Sequence, residues 1–480
     1  MTFACGHLSS TKPAGSLLAQ ARFGARPKLR GSALTIAVVT LGALLAEPAT
    51  AQTLNEALST AYASNPTLQA ARAELRTVNE QVPQALSNWR PRVTVNGSGG
   101  AQRIDSGSVR GAETTFPLST DLTVSQSLYR GGQTVADTRR AEATVFAQRG
   151  FLSVVEQDIL FSAATAYMDV WRDQSVLELN LNNEKVLRRQ LEASEDRFEV
   201  GEITRTDVAQ SESRLARAIG DRVEAEGNLT ASRAIYQELI GEAPGLLVAP
   251  PGVADLPTAQ EEVTVAAIQA NPSVVAANFL EEAERHNVRL QFGQLLPELA
   301  LVGTLSHDQD TASTRDETDR ARILAQVTVP IYQQGFVSSQ IREAKQRSSQ
   351  RRLEIDEARR NAEQQSITAW EALQTARAQI EAFESEVRST DIALEGVRQE
   401  NAVGARTILD ILDAEQEFLD AQVNLVRAQR DEIVASYQVL QAMGLMTAQF
   451  LALPVTLYDA DSDFQEVRDT WFGFGGLPED

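Results

Sequence analysis

The stretch Val403-Gly404-Ala405-Arg406-Thr407-Ile408-Leu409-Asp410-Ile411-Leu412-Asp413 has a second copy about 200 residues earlier, Val200-Gly201-Glu202-Ile203-Thr204-Arg205-Thr206-Asp207-Val208. Each copy sets a Val-Gly break between two long segments that otherwise lack helix breakers. Glycine accepts the left-handed backbone such a break needs, so each copy reads as the sharp tip of a helical hairpin.

The repetition extends outward from the tips. Asn65-Pro66 recurs as Asn271-Pro272, and Arg90-Pro91 as Leu296-Pro297. Leu128-Tyr129 with Gly132 recurs as Ile331-Tyr332 with Gly335, Ala166-Tyr167 as Ala369-Trp370, and Leu239-Ile240-Gly241 as Ala442-Met443-Gly444. The offset stays at roughly 205 residues across these landmarks, which predicts a duplicated unit. The expected organisation is a leader over 1–51, a first unit over 52–243, a linker over 244–260, a second unit over 261–453 and a tail over 454–480.

Prolines divide each unit. None falls between Pro117 and Pro244 or between Pro330 and Pro454, so helices can run unbroken through both windows. Leu412, Leu419, Val426, Ile433 and Leu440 repeat at heptad spacing, the mark of left-handed supercoiling against neighbours. The segments before the tips, Gln133 to Glu199 and Gln333 to Gln399, would each be about 100 Å long as helices. An apolar fraction of 43% supports a folded chain, and aromatics at only 6% suit narrow helical seams better than a thick globular core.

The short segments between alternate with period two. Val93, Val95, Gly97, Gly99 and Ala101 share one face, and Leu122, Val124 and Leu128 lie opposite Thr123, Ser125 and Ser127. In the second unit Leu299, Leu301, Gly303 and Leu305 alternate with Ala300, Val302, Thr304 and Ser306. Ile323, Ala325, Val327, Val329 and Ile331 alternate mainly with Arg322, Gln326 and Thr328. These are four strands, two per unit, joined by polar loops over Ile104 to Phe116 and His307 to Arg320.

Near the N-terminus Arg22, Arg26, Lys28 and Arg30 precede the apolar run Ala33 to Leu45 and then Ala49-Thr50-Ala51, the pattern of a cleaved export signal. Cleavage there removes Cys5, the single cysteine, so no thiol, disulfide or lipidated cysteine is expected in the exported chain. The net charge of −21 becomes more negative on losing that basic leader, which argues against nucleic acid as a partner. HExxH, P-loop and GxSxG patterns do not occur, so neither an enzyme nor a cofactor is indicated. The acidic loop around His307 reads as solvated surface. No stretch after the leader approaches about 18 apolar residues, but a membrane strand needs only about 9 to 11 alternating ones.

A sheet in lipid must close, because no water satisfies an open edge. Four strands cannot close, two chains would supply a barrel filled by its own side chains, and three would supply twelve strands around a lumen. The polar alternate faces favour three. A periplasmic structural or adaptor coiled coil is the competing reading, but it would not need the duplicated strand pair.

The order of leader, Asn-Pro helix, strand pair, long helix, Val-Gly tip and return helix, all repeated over Leu54 to Leu453, resembles the TolC family of outer-membrane channel proteins. The tips and the Leu/Ile-Tyr-x-x-Gly junctions carry the resemblance. It implies a mainly α fold with a small membrane β-barrel: long coiled helical hairpins form a periplasmic tunnel, and four strands per chain join a homotrimeric barrel in outer-membrane lipid. It implies a passive exit duct for type I secretion or tripartite efflux, docked to a periplasmic adaptor and an inner-membrane transporter through the tips at Val200, Gly201, Val403 and Gly404. By motif, Arg406 matches a gate latch with Thr206 and Asp207 as partners, and Asp410 with Asp413 matches an acidic selectivity ring. Asp410 and Asp413 are three apart and share a helix face, which agrees with a ring that threefold symmetry concentrates at a narrow pore. The sequence departs from the family pattern at Asn401, where a tyrosine often joins the latch. The missing lipidated cysteine and the tail Leu453 to Gly473 are more similar to the secretion-type members.

Overall fold

The computed structural model describes residues 52–105, 113–253, 256–311 and 315–473, and the expected leader over 1–51 lies outside them. The first half runs α1 (Leu54–Ser64), α2 (Pro66–Asn79), α3 (Gln81–Leu86), β1 (Arg92–Gly99), β2 (Gln102–Ile104), β3 (Glu113–Thr115), β4 (Leu118–Arg130), α4 (Gln133–Glu199) and α5 (Arg205–Ile240). The second half runs α6 (Gln260–Ala270), α7 (Pro272–Gly293), β5 (Glu298–Gln309), β6 (Glu317–Thr328), α8 (Phe336–Ala402) and α9 (Ile408–Ala442), and α10 (Ala460–Arg468) follows.

The Asn-Pro pairs show how the duplication works physically. Proline fits the first helical turn, where its missing N–H is not needed, and asparagine caps that turn. Asn65 Oδ1 accepts from the Thr67 and Leu68 amides while its Nδ2 donates to the Leu239 carbonyl at 2.9 Å. Asn271 Oδ1 accepts from the Ser273 amide while its Nδ2 donates to the Ala442 carbonyl at 3.2 Å. One side chain thus starts a short helix and ties it to the end of the return helix, twice over.

Both long helices have 67 residues. α4 spans the window read from the sequence, whereas α8 begins at Phe336 rather than Gln333, because residues 329–335 form an irregular junction with Gln334 and Gly335 at positive φ. α4 packs against α5 and α8 against α9, and α7 lies between α4 and α8. The largest core gathers Leu58, Leu68, Leu75, Leu160, Tyr167 and Tyr236 around the middle of α4, and Phe464 of α10 joins it. Its repeat equivalent is smaller and centres on Trp370, Leu373, Val263 and Val439. Of the heptad positions on α9, Leu412, Leu419, Ile433 and Leu440 are buried and Val426 is half-buried.

The strands β1, β4, β5 and β6 form one antiparallel sheet in that order, and β2 pairs with β3. Three local expectations need correcting. β5 and β6 extend to Gln309 and from Glu317, so the connection is shorter than the loop expected over His307 to Arg320. Leu128 is the extra residue of a bulge between Ser127 and Tyr129, so it does not continue the face of Leu122 and Val124. Val329 and Ile331 lie beyond the end of β6. A fourth correction concerns helices: the 260–293 region contains an 18-residue window with mean hydropathy 1.3, long and apolar enough by composition to cross a membrane. Asn271-Pro272 divides that window into α6 and α7, both of which pack on α8.

Glu156 of α4 reports on how the C-terminal segment is held. Its Oε1 accepts from the Ala448 amide at 2.8 Å. Burial pushes its carboxyl above the ordinary value of 4.5, against the opposing pull of the Ala448 N–H and the Arg72 charge. The folded chain therefore binds this proton more tightly than the unfolded one, so the stability linked to Glu156 rises as pH falls through the folded value and is reduced above it. Glu156→Gln keeps the acceptor and removes the buried charge. Its expected effect is a thermal midpoint about 2 °C higher at neutral pH, disappearing in scans run below the ordinary carboxylate value.

Candidate functional site: the hairpin tips and the strand sheet

Each tip is built by the same sequence of backbone bonds. At the end of α4 the Gly201 amide donates to the Phe198 carbonyl and the Glu202 amide to the Arg197 carbonyl, both at 2.9 Å. At the end of α8 the Gly404 amide donates to Asn401 and the Ala405 amide to Glu400, again at 2.9 Å. The second bond of each pair spans five residues, the closure of a Schellman turn, and requires a residue at positive φ. Gly201 and Gly404 supply it at +81° and +79°. Thr204 and Thr407 then cap α5 and α9, and the carboxylates of Asp207 and Asp410 answer by accepting from the capping amides at 2.9 and 2.8 Å. Val200 and Val403, at the outermost points, are 72% and 81% exposed.

The tips differ in charge chemistry. Arg406 Nε donates to Glu400 Oε2 at 2.9 Å, and its Nη1 stands 3.9 Å from Asp410 Oδ1. Asn401 Nδ2 donates to the Arg406 carbonyl at 2.8 Å, so this side chain helps fold the turn. The Thr407 hydroxyl and amide, with Arg406 beside them, hold the Asp410 carboxyl below the usual carboxylate range. Thr206 is exposed and Asp207 is engaged in its own cap. Within one chain, then, Arg406 meets Glu400 and Asp410 rather than Thr206 or Asp207.

Asp413 is paired with Arg214 of α5, a bond between the two hairpins. Close to it, Leu187, Ala218, Ile408 and Leu412 form a small buried cluster with Ile203 and Leu215 packed against it. Sequence reasoning missed Arg214, although it lies one heptad after Asp207 and so on the same stripe of α5. It also missed Glu400, which becomes a neighbour of Arg406 only once the turn is closed.

At the other end of the long helices, register sorts the strand residues into two faces. One face carries Val93 and Val95 of β1, Leu122 and Val124 of β4, Leu301 and Leu305 of β5, and Ile323 and Val327 of β6. The other carries Thr94 and Asn96, Asp121 and Thr123, Thr304 and Ser306, and Arg320 and Arg322. The apolar face is open: Ile323 is 78% and Val95 68% exposed. β1 and β6 are edge strands with unpaired outer sides. A contiguous apolar surface of this kind on a sheet with two open edges is not a stable ending in water.

The comparisons with known proteins agree with this arrangement. The model of the outer membrane efflux protein family matches the chain twice, over residues 57–242 and 263–445. The chain is similar to outer membrane efflux protein BepC of Brucella suis biovar 1, with 34% identity covering 91% of this chain and 95% of that one. It is also similar to outer membrane protein TolC of Vibrio cholerae serotype O1, with 27% identity covering 83% of this chain and 92% of the other. Among solved structures, the CmeC outer membrane channel of Campylobacter jejuni superposes with a TM-score of 0.75 at 17% identity, covering 87% of this chain and 89% of that one, a likeness of fold. With both halves matched by the family model and a relative aligned over nearly its full length, the chain belongs to the outer membrane efflux protein family.

Proposed function

We infer that three copies of this chain form an outer-membrane exit duct serving a tripartite efflux or type I secretion system. The observation that carries the reading is the four-stranded sheet with one apolar face, one polar face and two open edges. Lipid accepts the apolar face but not the open edges, so β6 of each copy pairs with β1 of the next. Three copies supply twelve strands, enough to leave a lumen lined by the polar face. The 67-residue helices continue the duct on the periplasmic side for about 100 Å.

At the far end the tips form the gate. Arg406 bonds Thr206 and Asp207 of a neighbouring copy, and Asp410 with Asp413 rings the constriction. The exposed tips at Val200, Gly201, Val403 and Gly404 are the docking points for a periplasmic adaptor, which links the duct to an inner-membrane transporter. Solvent screens each exposed ion pair, so a docking partner can displace the set. No step calls for a cofactor.

Cell fractionation followed by planar-bilayer recording tests the reading. The protein is expected in the outer membrane and to conduct, with block by hexamminecobalt that weakens in Asp410→Ala with Asp413→Ala. Recovery with the inner membrane, or no conductance, overturns it. The face assignment has its own check: Leu305→Arg places a charge on the lipid side, costing about 2–4 kcal/mol near mid-membrane, and is expected to abolish assembly. Thr123→Lys, beside Asp121 on the other face, is expected to assemble as the unmodified protein does.

A further inference from the structure

The polar face of the sheet is uneven in charge, and the imbalance lies at its edges. On β6 that face carries Arg320 and Arg322, whose register partners on β5 are the neutral Ser306 and Thr304. On β1 it carries Arg92, opposite Ser125 of β4. From Arg92 to Gly99 and from Thr318 to Thr328, neither strand places a carboxylate on that face. The carboxylates of the polar face are on the inner strands: Asp121 on β4, which already accepts from Asn96 Nδ2 at 2.9 Å and Thr123 Oγ1 at 3.3 Å, and on β5 Asp308 and Glu298, the latter already accepting from Gln133 Nε2 at 3.0 Å. All three arginines are exposed.

In the trimeric barrel inferred above, on which this step rests, the two arginine-bearing edges are brought together. Neighbouring strands lie about 4.8 Å apart, so each seam places Arg320 and Arg322 of one copy on the strand next to Arg92 of another, facing the lumen. Like charges with no carboxylate between them raise the local potential, and a lumen with low-dielectric walls focuses it. Guanidinium also presents a planar fork that matches phosphate and carboxylate oxygens. We propose that each seam is a lumenal binding site for multivalent anions, a basic girdle in the barrel opposite in sign to the acidic residues at the tips. The duct is then polarised along its axis, and an anionic solute that passes the tips meets a favourable station before release.

The test is calorimetric titration of the detergent-extracted full-length complex with inositol hexakisphosphate, with its copy number measured on the same preparation. Binding is expected to weaken steeply with salt. The apparent Kd is expected to rise about tenfold or more in Arg320→Gln with Arg322→Gln, to hold in Arg320→Lys with Arg322→Lys, and to be unchanged in Arg217→Ala, whose partner Asp221 lies on the same helix. In bilayers the same probe is expected to reduce current at lower concentration from the barrel side than from the tip side, where the acidic residues repel it. A trimeric, conducting preparation that does not bind the probe overturns the girdle and leaves the duct standing, as does binding that ignores salt or the glutamine substitutions. A preparation that is not trimeric or does not conduct overturns the duct itself. If the glutamine pair fails to assemble, loss of binding in the assembled lysine pair counts against a charge-based site, and retention with the same salt dependence supports it.

Discussion

Replacing Arg214 by Ala and Arg406 by Ser in one chain is expected to raise single-channel conductance about five-fold, because the narrowest part of a duct dominates its resistance. Arg214 pairs with Asp413 across the two hairpins, and the side chains are 27% and 52% exposed. Arg406 anchors the tip through Glu400 and Asp410. Neither contact is strong, since solvent screens exposed ion pairs. In the proposed trimer threefold symmetry multiplies the set, and the cluster of Leu187, Ala218, Ile408 and Leu412 would keep the hairpins aligned while the polar ties hold the proposed gate closed. Removing both ties frees α9 to move without emptying that cluster. Arg217→Ala is the control: its partner Asp221 lies on the same helix at 3.8 Å, so conductance should not change. Equal conductance in the double variant and the unmodified protein contradicts the gate assignment.

The second large effect is expected at Gly131, where β4 turns into α4. Its φ is +59°, and an added Cβ would stand 2.3 Å from the Gly293 carbonyl oxygen and 2.8 Å from Leu296 Cβ. Gly293 faces the same constraint, its Cβ position being 2.5 Å from Gln133 Cγ and 2.9 Å from the Gly131 oxygen. Two backbones from the two halves of the duplication therefore touch at the strand-to-helix junction, and Gln133 seals it by donating to Glu298 Oε1 at 3.0 Å. Gly131→Val combines backbone strain with overpacking that has nowhere to go, about 4 kcal/mol or more. Loss of the assembled form on native gels is the expected result. Gly97→Val is the contrast, since no atom lies within 4 Å of the added Cβ and the residue is on the apolar face. It should assemble normally, and normal assembly of Gly131→Val contradicts the junction argument.

The fold was largely legible in the sequence because its determinants are local or periodic. The Val-Gly tips, the Asn-Pro caps and the proline-free windows each act through one turn of backbone, and α4 occupies the window they define. What escaped depends on the third dimension. The bulge at Leu128 and the early end of β6 come from how strand meets helix, and alternation carries no sign of either. At the tips the residue types were visible, but their partners were not. Asp410 reads as half of an acidic pair and is also the cap of α9, while Asp413 is matched to Arg214 some 200 residues away. An i to i+3 spacing places two carboxylates on one face without saying what else reaches that face.

In the proposed duct, neighbouring copies close the open sheet edges into a three-chain barrel. Native mass measurement of the complex extracted from the outer membrane tests it most directly, with Leu305→Arg as the assembly-deficient reference. A mass of three chains is expected; one or two chains in a conducting preparation would rule out the three-chain barrel.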